Sequence, residues 1–388
     1  MNSKPPTIRR LHLRNYRSIR DETIVFDNPL FLVGRNGSGK SNVVDALAFL
    51  SDCINIGFIA AIEQRPGITH ISTQFYNDDE VRIELETSEG DYILEFIYQR
   101  GDGYIITEES IRTDSKYLHR KNKTTDSNFS GMNLFFKDNQ VALQLLSSIQ
   151  DFSSFTELVS RISIHHINYK SIRNMDSTNI TESQKLHRDG GNAVGVLAYL
   201  QSKHPDELSD IGEYLPVNRW FDAVIPDMHV LAFDTKANGT GFRLSFGQNQ
   251  NNNIPLPFAT HGISDGILHA LGVIVALHQD PAPSLVVIEE PEANLHPGAL
   301  AVIADLIQEA SERMQVVITT HSPELLDQKW IGPENLRVVT WEDGQTRVSP
   351  VSPQAQAALT DHLKRRYAGQ LLRSNLLQPA PHKTDAAA

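Results

Sequence analysis

The sequence predicts an α/β protein with a mixed sheet, and three stretches carry that prediction. Residues 30–33 (LFLV) run into a glycine-rich turn and then into 41–50 (SNVVDALAFL), apolar at helical spacing and free of Gly and Pro, which is the order strand, turn, helix. Residues 285–288 and 315–319 are short apolar runs of the kind shown by strands buried on both faces, and they alternate with helical segments at 267–277 and from Pro297. From 81 to 111 the period changes to two, with Val81, Ile83 and Leu85, then Tyr92, Leu94 and Phe96, across a Glu89-Gly90-Asp91 turn. That pattern reads as an antiparallel meander.

Taken in order, the chain opens with a strand-like run at 8–19 and a second at 23–26, ahead of the strand, turn and helix of 30–50. After the meander, 141–161 and 192–201 have helical spacing but sustain no heptad, so no coiled-coil arm is expected. The polar patch 248–253 (QNQNNN) predicts an exposed loop. Beyond the second α/β stretch come a hairpin turning at Asp343-Gly344, a helix within 355–377, and a loose tail from Pro379. The expected organisation is an N-terminal part of the main domain at 1–111, a mainly helical lid insertion at 112–255, a C-terminal part at 256–378 and a flexible tail at 379–388, with the two parts completing one sheet.

At 388 residues there is enough chain for two or three compact units. Thirty-five Lys and Arg against 47 Asp and Glu give a net charge of −12, with 40% hydrophobic and 21% charged residues, a soluble globular composition that excludes collagen, mucin and rod-like classes. No run approaches the ~18 apolar residues of a membrane span, and MNSKPPTIRR has no apolar segment behind its charges, so a cytoplasmic protein without a membrane partner is expected. The lone Cys53 excludes an internal disulfide and a multi-thiolate metal site. Net acidity argues against indiscriminate nucleic-acid binding; residues 116–123 (KYLHRKNK) and Arg9, Arg10, Arg14, Arg17 and Arg20 are the features available for DNA, or else solvated faces.

The chemistry is concentrated in four places. Gly34, Arg35, Asn36, Gly37, Ser38, Gly39, Lys40 and Ser41 match G-x-x-x-x-G-K-[ST], with Asn42 following, after a strand and opening a helix. Glycines let successive backbone N–H groups face an anion, Lys40 neutralises β- and γ-phosphate charge, and the Ser41 hydroxyl can ligate Mg2+. The strand 285–288 ends in Glu289 and Glu290, whose side chains point to opposite sides of an extended chain, so that Glu289 can hold Mg2+ while Glu290 polarises the water that attacks the terminal phosphate. His321 closes the next strand, with Ser322 and Pro323 set to cap a following helix. Ser264-Asp265-Gly266 opens the apolar helix from Ile267, either as a second anion-binding helix start serving another molecule's nucleotide or as a plain cap. A guanine-reading N-K-x-D is absent, since Asn122-Lys123-Thr124-Thr125-Asp126 misses it by one residue, and this favours ATP.

GRNGSGKS, ISDG, VVIEEPEANLHP and TTHSPELL, in that order, resemble the Walker A, signature, Walker B with D-loop, and switch-histidine motifs of ABC-type ATPases related to RecF, SMC and OLD proteins. The likeness is to the standalone bacterial branch, whose opening resembles LHLRNYRSIRDETIVF and whose end resembles YAGQLLRSNLL. It implies a P-loop ATPase head with an antiparallel β subdomain and a lid, binding ATP and Mg2+ through Ser41 and Glu289, with Lys40, Glu290 and His321 catalytic. It also implies a dimer of two copies in which Ser264, Asp265 and Gly266 of one contact the nucleotide of the other, with Glu292 and Asn294 in the D-loop. Glu289 stands where the wider class has Asp, and Ser-Asp-Gly replaces Ser-Gly-Gly-Gln. Gln74 and Gln64 are the Q-loop candidates, and Arg17, in the Asn15-Tyr16-Arg17-Ser18 turn, is either a phosphate contact or a surface salt bridge. OLD-type relatives carry a Toprim nuclease after the ATPase; too few residues follow His321 for one, so the resemblance leaves any nuclease or toxin activity to a separately encoded effector protein. DNA repair and defence against phage are the settings it suggests.

Overall fold

The computed structural model describes residues 6–65, 80–99, 103–122, 124–128, 137–174, 183–203, 220, 223–224, 228–231, 245–248, 258–259, 263–360 and 367–381. It divides into two compact units, one formed by Met1–Ile162, Pro333–Ala357 and Leu377–Ala388, the other by Ser163–Gly332 and Ala358–Leu376.

The first unit opens with β1 (Ile8–Tyr16) and β2 (Ile19–Val25). They are two antiparallel strands where the sequence suggested one strand-like run over 8–19, because the Asn15-Tyr16-Arg17-Ser18 turn, with Asn15 and Arg17 both in left-handed backbone (φ 54° and 53°), reverses the chain within it. Then come β3 (Leu30–Val33), α1 (Lys40–Asn55), α2 (Phe58–Glu63) and the meander β4 (Val81–Thr87), β5 (Asp91–Gln99), β6 (Gly103–Arg112), β7 (Tyr117–Lys121) and β8 (Thr124–Ser127). The seven antiparallel strands lie in the order β2-β1-β4-β5-β6-β7-β8. The meander therefore runs two strands into the stretch expected to be mainly helical, and Asn122 (φ 47°) of the near-miss N-K-x-D motif sits at the β7–β8 turn. Helices α3 (Ala142–Leu146) and α4 (Gln150–Ser160) follow and pack on α1. Phe49 of α1 meets Phe58 and Phe96 at ring-centroid distances of 6.1 and 5.6 Å, tying the helix that opens at Lys40 to the sheet.

Glu109 of β6 is wholly buried and bears on α3. It accepts from Tyr92 Oη (2.8 Å), from the backbone of Ala142 and Leu143 (2.8 and 3.2 Å), and pairs with Arg120 (2.7 Å). Glu109→Ala is expected to lower stability by about 3–5 kcal/mol, because Arg120 and the α3 amides lose their counter-charge while remaining buried. Urea unfolding measures it, and a midpoint unchanged from wild type would refute the assignment.

In the second unit β9 (Ile162–His165), α5 (Tyr169–Asn174) and α6 (Ala193–Lys203) are followed by a three-stranded antiparallel sheet of β10 (Met228–Leu231), β11 (Ser245–Gln248) and β12 (Phe258–Ala259). Gln248 of the QNQNNN patch ends β11; residues 249–253 lie outside the described residues. Helix α7 (Asp265–Leu277) is apolar all round and buried from Leu268 to Leu277, as a central helix must be. Strands β13 (Leu285–Glu289) and β14 (Gln315–Thr320) pair in parallel, Glu289 opposite Thr319, linked by α8 (Pro297–Ala310) with Pro297 in its first turn. After β14 the expected helix from Pro323 is instead a set of turns, with Ser322 Oγ accepting from Leu325 N at 3.3 Å.

The chain returns to the first unit with β15 (Leu336–Glu342) and β16 (Gln345–Pro350), a hairpin turning at Asp343-Gly344 as expected. β15 runs parallel to β3 and antiparallel to β16, so this sheet is mixed. Of the helix expected within 355–377 the described residues show α9 (Pro353–Thr360) and α10 (Ala368–Arg373); residues 361–366 lie outside the described residues. The start of the tail is tethered, contrary to expectation: Pro379 bridges Val351, and Ala380 N donates to Pro350 O at 2.8 Å. Among the described residues no helix is long and apolar enough to cross a membrane.

Candidate functional site

In the first unit β3 delivers the chain into the loop Gly34–Lys40. A Cβ on Gly34 would stand 2.3 Å from Val339 O, and one on Gly39, whose φ of 100° already favours glycine, would stand 1.8 Å from Thr346 Oγ1. Lys40, the first residue of α1, is buried; its ammonium folds back over the loop and donates to the carbonyls of Gly34 (2.7 Å) and Arg35 (3.1 Å). Ser38 O accepts from Thr346 Oγ1 (3.1 Å), whereas Ser38 Oγ is buried with no hydrogen-bond partner. Asn42 donates to Ser18 Oγ, while Arg35, Asn36, Gly37 and Ser41 are exposed. Glycines packed too closely against the β15–β16 hairpin to admit a Cβ fix the loop, and a buried cation and an orphaned hydroxyl are donors suited to a polyphosphate.

Arg17 lies on the turn between β1 and β2, where its Nε donates to Asp45 Oδ2 of α1 at 2.7 Å. Asp45 also accepts from Tyr16 Oη (2.6 Å) and Arg65 Nε (3.1 Å), and burial pushes the Tyr16 hydroxyl well above its ordinary pKa, keeping it a neutral donor. Of its two sequence readings, Arg17 takes the salt bridge. Gln64 is exposed at the end of α2, and Gln74 lies outside the described residues.

In the second unit Glu289 ends β13 buried, and Glu290 follows with φ 48°, a left-handed conformation that costs a non-glycine residue of order 1–3 kcal/mol. Its N–H donates to Thr319 O at 2.9 Å, which holds the chain against β14. Glu290 Oε1 comes within 3.7 Å of His321 Nδ1. Glu292 Oε1 accepts from Thr320 Oγ1 (2.7 Å) and His321 N (3.0 Å) and lies 3.5 Å from His321 Nδ1. Glu290, Glu292 and His321 are thus gathered at one end of β13 and β14.

Ser264 is exposed and caps α7, accepting from Ile267 N at 3.4 Å. Gly266 meets the backbone of Asn294 so closely that a Cβ would stand 2.4 Å from its carbonyl oxygen. One turn on, burial drives the His269 imidazole down to about 4, so it is neutral at physiological pH. Two arginines that sequence reading does not single out act here. Arg173 Nη2 of α5 donates to Ile263 O and Asp265 Oδ1, both at 2.7 Å, and its guanidinium lies 5.6 Å from the Tyr169 ring centroid. Arg188 Nη2 is 3.5 Å from Glu289 Oε1, on a loop held by Asn192, which accepts from His187 N (2.7 Å) and donates to Lys185 O (2.9 Å) and Ser183 Oγ (3.0 Å). Both contacts span about a hundred residues of sequence or nearly so, and no local motif signals them. The basic stretches are largely neutralised: Lys121 and His119 contact Glu108, Arg120 pairs with Glu109, Arg10 with Glu86, and Arg14 with Glu80 and Glu95.

The fold is that of an SMC head. A head domain solved bound to the C-winged helix domain of ScpA is similar with a TM-score of 0.54 at 13% identity, over 90% of this chain and 99% of that one. A second, with an extended coiled coil and bound to the C-terminal domain of ScpA from Pyrococcus furiosus, gives 0.53 at 13% identity over 92% and 99%. The chain belongs to the family described as "AAA domain, putative AbiEii toxin, Type IV TA system", which matches residues 30–327, and it is an ABC-type ATPase of the RecF/SMC group. RecF DNA replication and repair proteins match shorter stretches, that of Synechococcus at 47% identity over 45 residues, 11% of this chain and 12% of its own length. That of Francisella tularensis matches at 34% over 85 residues, 20% and 24% respectively. The matched stretches thus span about an eighth to a quarter of those relatives.

Proposed function

We propose that this ATPase binds ATP with Mg2+ and dimerises around it, using hydrolysis to switch between joined and separated states. The loop 34–42 cradles the triphosphate and Lys40 neutralises it; Ser41 and Glu289 hold Mg2+, which screens the charge of the β- and γ-phosphates. Glu290 takes the proton of the attacking water, and His321, braced by Glu292, senses the terminal phosphate. Ser264, Asp265 and Gly266 act on the nucleotide of the second copy, and Asn294 of the D-loop moves with them because Gly266 abuts it. The phosphate loop carries this reading: the buried Lys40 ammonium folded over it and the orphaned Ser38 hydroxyl are donors of the kind a phosphate takes.

The shared site makes a distinct prediction. Ser264→Arg should abolish ATP-dependent dimerisation in sedimentation while leaving nucleotide binding by the monomer intact, and Arg173→Ala should weaken dimerisation about tenfold by freeing Asp265 and the Ile263 carbonyl. Unchanged dimer in both variants would refute it.

The likeness to RecF, a DNA replication and repair protein, supports a role on DNA in repair, and defence against phage is the other setting proposed for it. The pairing of the basic stretches with carboxylates favours the second reading, a nucleotide-switched scaffold that holds and releases a separately encoded effector. ATPase stimulation by duplex DNA that collapses with salt would decide for the first, and an ATP-released protein partner for the second.

A further inference from the structure

Trp341 is 51% exposed, more than any other large apolar side chain among the described residues. It stands on β15 directly opposite Thr346 of β16, and residues so paired share a face of the ribbon with Cβ atoms about 4.5–5.5 Å apart. Thr346 is fully buried: its hydroxyl donates to Ser38 O at 3.1 Å, lies 2.6 Å from Ser18 Oγ, and fills the space a Cβ on Gly39 would need. Two residues before Trp341, the carbonyl of Val339 crowds Gly34 in the same way. The hairpin therefore follows the loop from Gly34 to Gly39, and the indole is the next side chain on the face that Thr346 presents to it. The two-residue turn at Asp343 and Gly344, with φ 49° and 79°, is the type I′ pattern that fixes the register of the flanking strands, so the backbone sets where the indole stands.

A tryptophan open over half its surface at the rim of a phosphate loop offers a flat apolar face to whatever extends from the phosphates. A nucleobase is flat, of matching size and attached at that end, and aromatic stacking binds it without hydrogen-bond readout. We infer that Trp341 is the stacking platform for the base of a nucleoside triphosphate whose phosphates occupy loop 34–42. This rests on the phosphate reading of that loop and adds what holds the other end of the ligand.

The test uses the full chain, Mg2+, and two probes, ATP and inorganic tripolyphosphate. ATP should quench the indole emission of the wild type, an effect that disappears in Trp341→Phe. By calorimetry Trp341→Ala should bind ATP about 5- to 100-fold more weakly, with tripolyphosphate affinity held within about twofold, and Trp341→Phe should recover most of the ATP affinity. Unchanged tripolyphosphate binding also certifies that the variants are folded. Equal ATP affinity in wild type and Trp341→Ala, or an equal loss for both probes, would overturn the inference. Failure of the underlying phosphate reading has a different signature, Lys40→Ala binding tripolyphosphate as the wild type does, and would take the inference with it.

Discussion

Lys40→Ala should lose ATP binding outright, with affinity falling at least about 100-fold, an effect measured by calorimetry or nucleotide filter binding. Two losses add. The ammonium is the buried positive charge of the loop, and a charge-assisted contact to phosphate has no replacement among the loop's neutral amides. Lys40 also joins the carbonyls of Gly34 and Arg35, so its removal takes a charged donor from both, Arg35 O keeping Ser38 N at 3.2 Å, and leaves the loop less fixed, at about 1.5–3 kcal/mol for a hydrogen bond to a charged group. Lys40→Arg should not rescue it, since a planar fork does not fit where a compact ammonium folds back at 2.7 Å. Wild-type affinity in Lys40→Ala would remove the phosphate loop from the account.

Glu290→Gln should separate binding from chemistry. The amide keeps the size and left-handed backbone of the position but cannot accept the proton of the attacking water, so turnover should fall at least about 10²-fold while ATP still binds. On the proposed cycle, in which hydrolysis reopens the pair, this variant should accumulate as an ATP-bound dimer in sedimentation. Phosphate release at the wild-type rate would show that Glu290 is not the base and would shift attention to Glu292 and His321, which stand beside it.

What was legible in the sequence is what is local. The strand entering Gly34, the helix opening at Lys40, the parallel strand closing at Glu289 and the cap at Ser264 are each written in fewer than a dozen consecutive residues, where spacing and backbone chemistry decide the outcome. The hairpin at Asp343-Gly344 and the Pro297 helix start were readable for the same reason. The turn at Asn15-Tyr16-Arg17-Ser18 was readable too, since Asn tolerates left-handed backbone, but not that it divides the run 8–19 between two antiparallel strands, which depends on pairing. Nor was the fate of the basic stretch 116–123: its charges meet Glu108 and Glu109 of a neighbouring strand, a pairing that depends on register. Arg173 on Asp265, Arg188 on Glu289 and the tether at Pro379 are likewise contacts between distant residues. The helix expected after Pro323 had a good cap and proline, yet local signals only permit a helix; Leu325 and Leu326 are buried in turns instead.

The claim on which the rest depends is that a complete site takes one copy's Lys40 and another's Ser264, and complementation tests it most directly. Lys40→Ala and Ser264→Arg, each inactive alone, should regain ATPase activity when mixed in equal amounts, up to roughly half of the wild-type rate, because neither variant pairs with itself around ATP, so every ATP-held pair is mixed and holds one intact site of two. A mixture as inactive as its components, or a Ser264→Arg protein that hydrolyses ATP by itself, would contradict it.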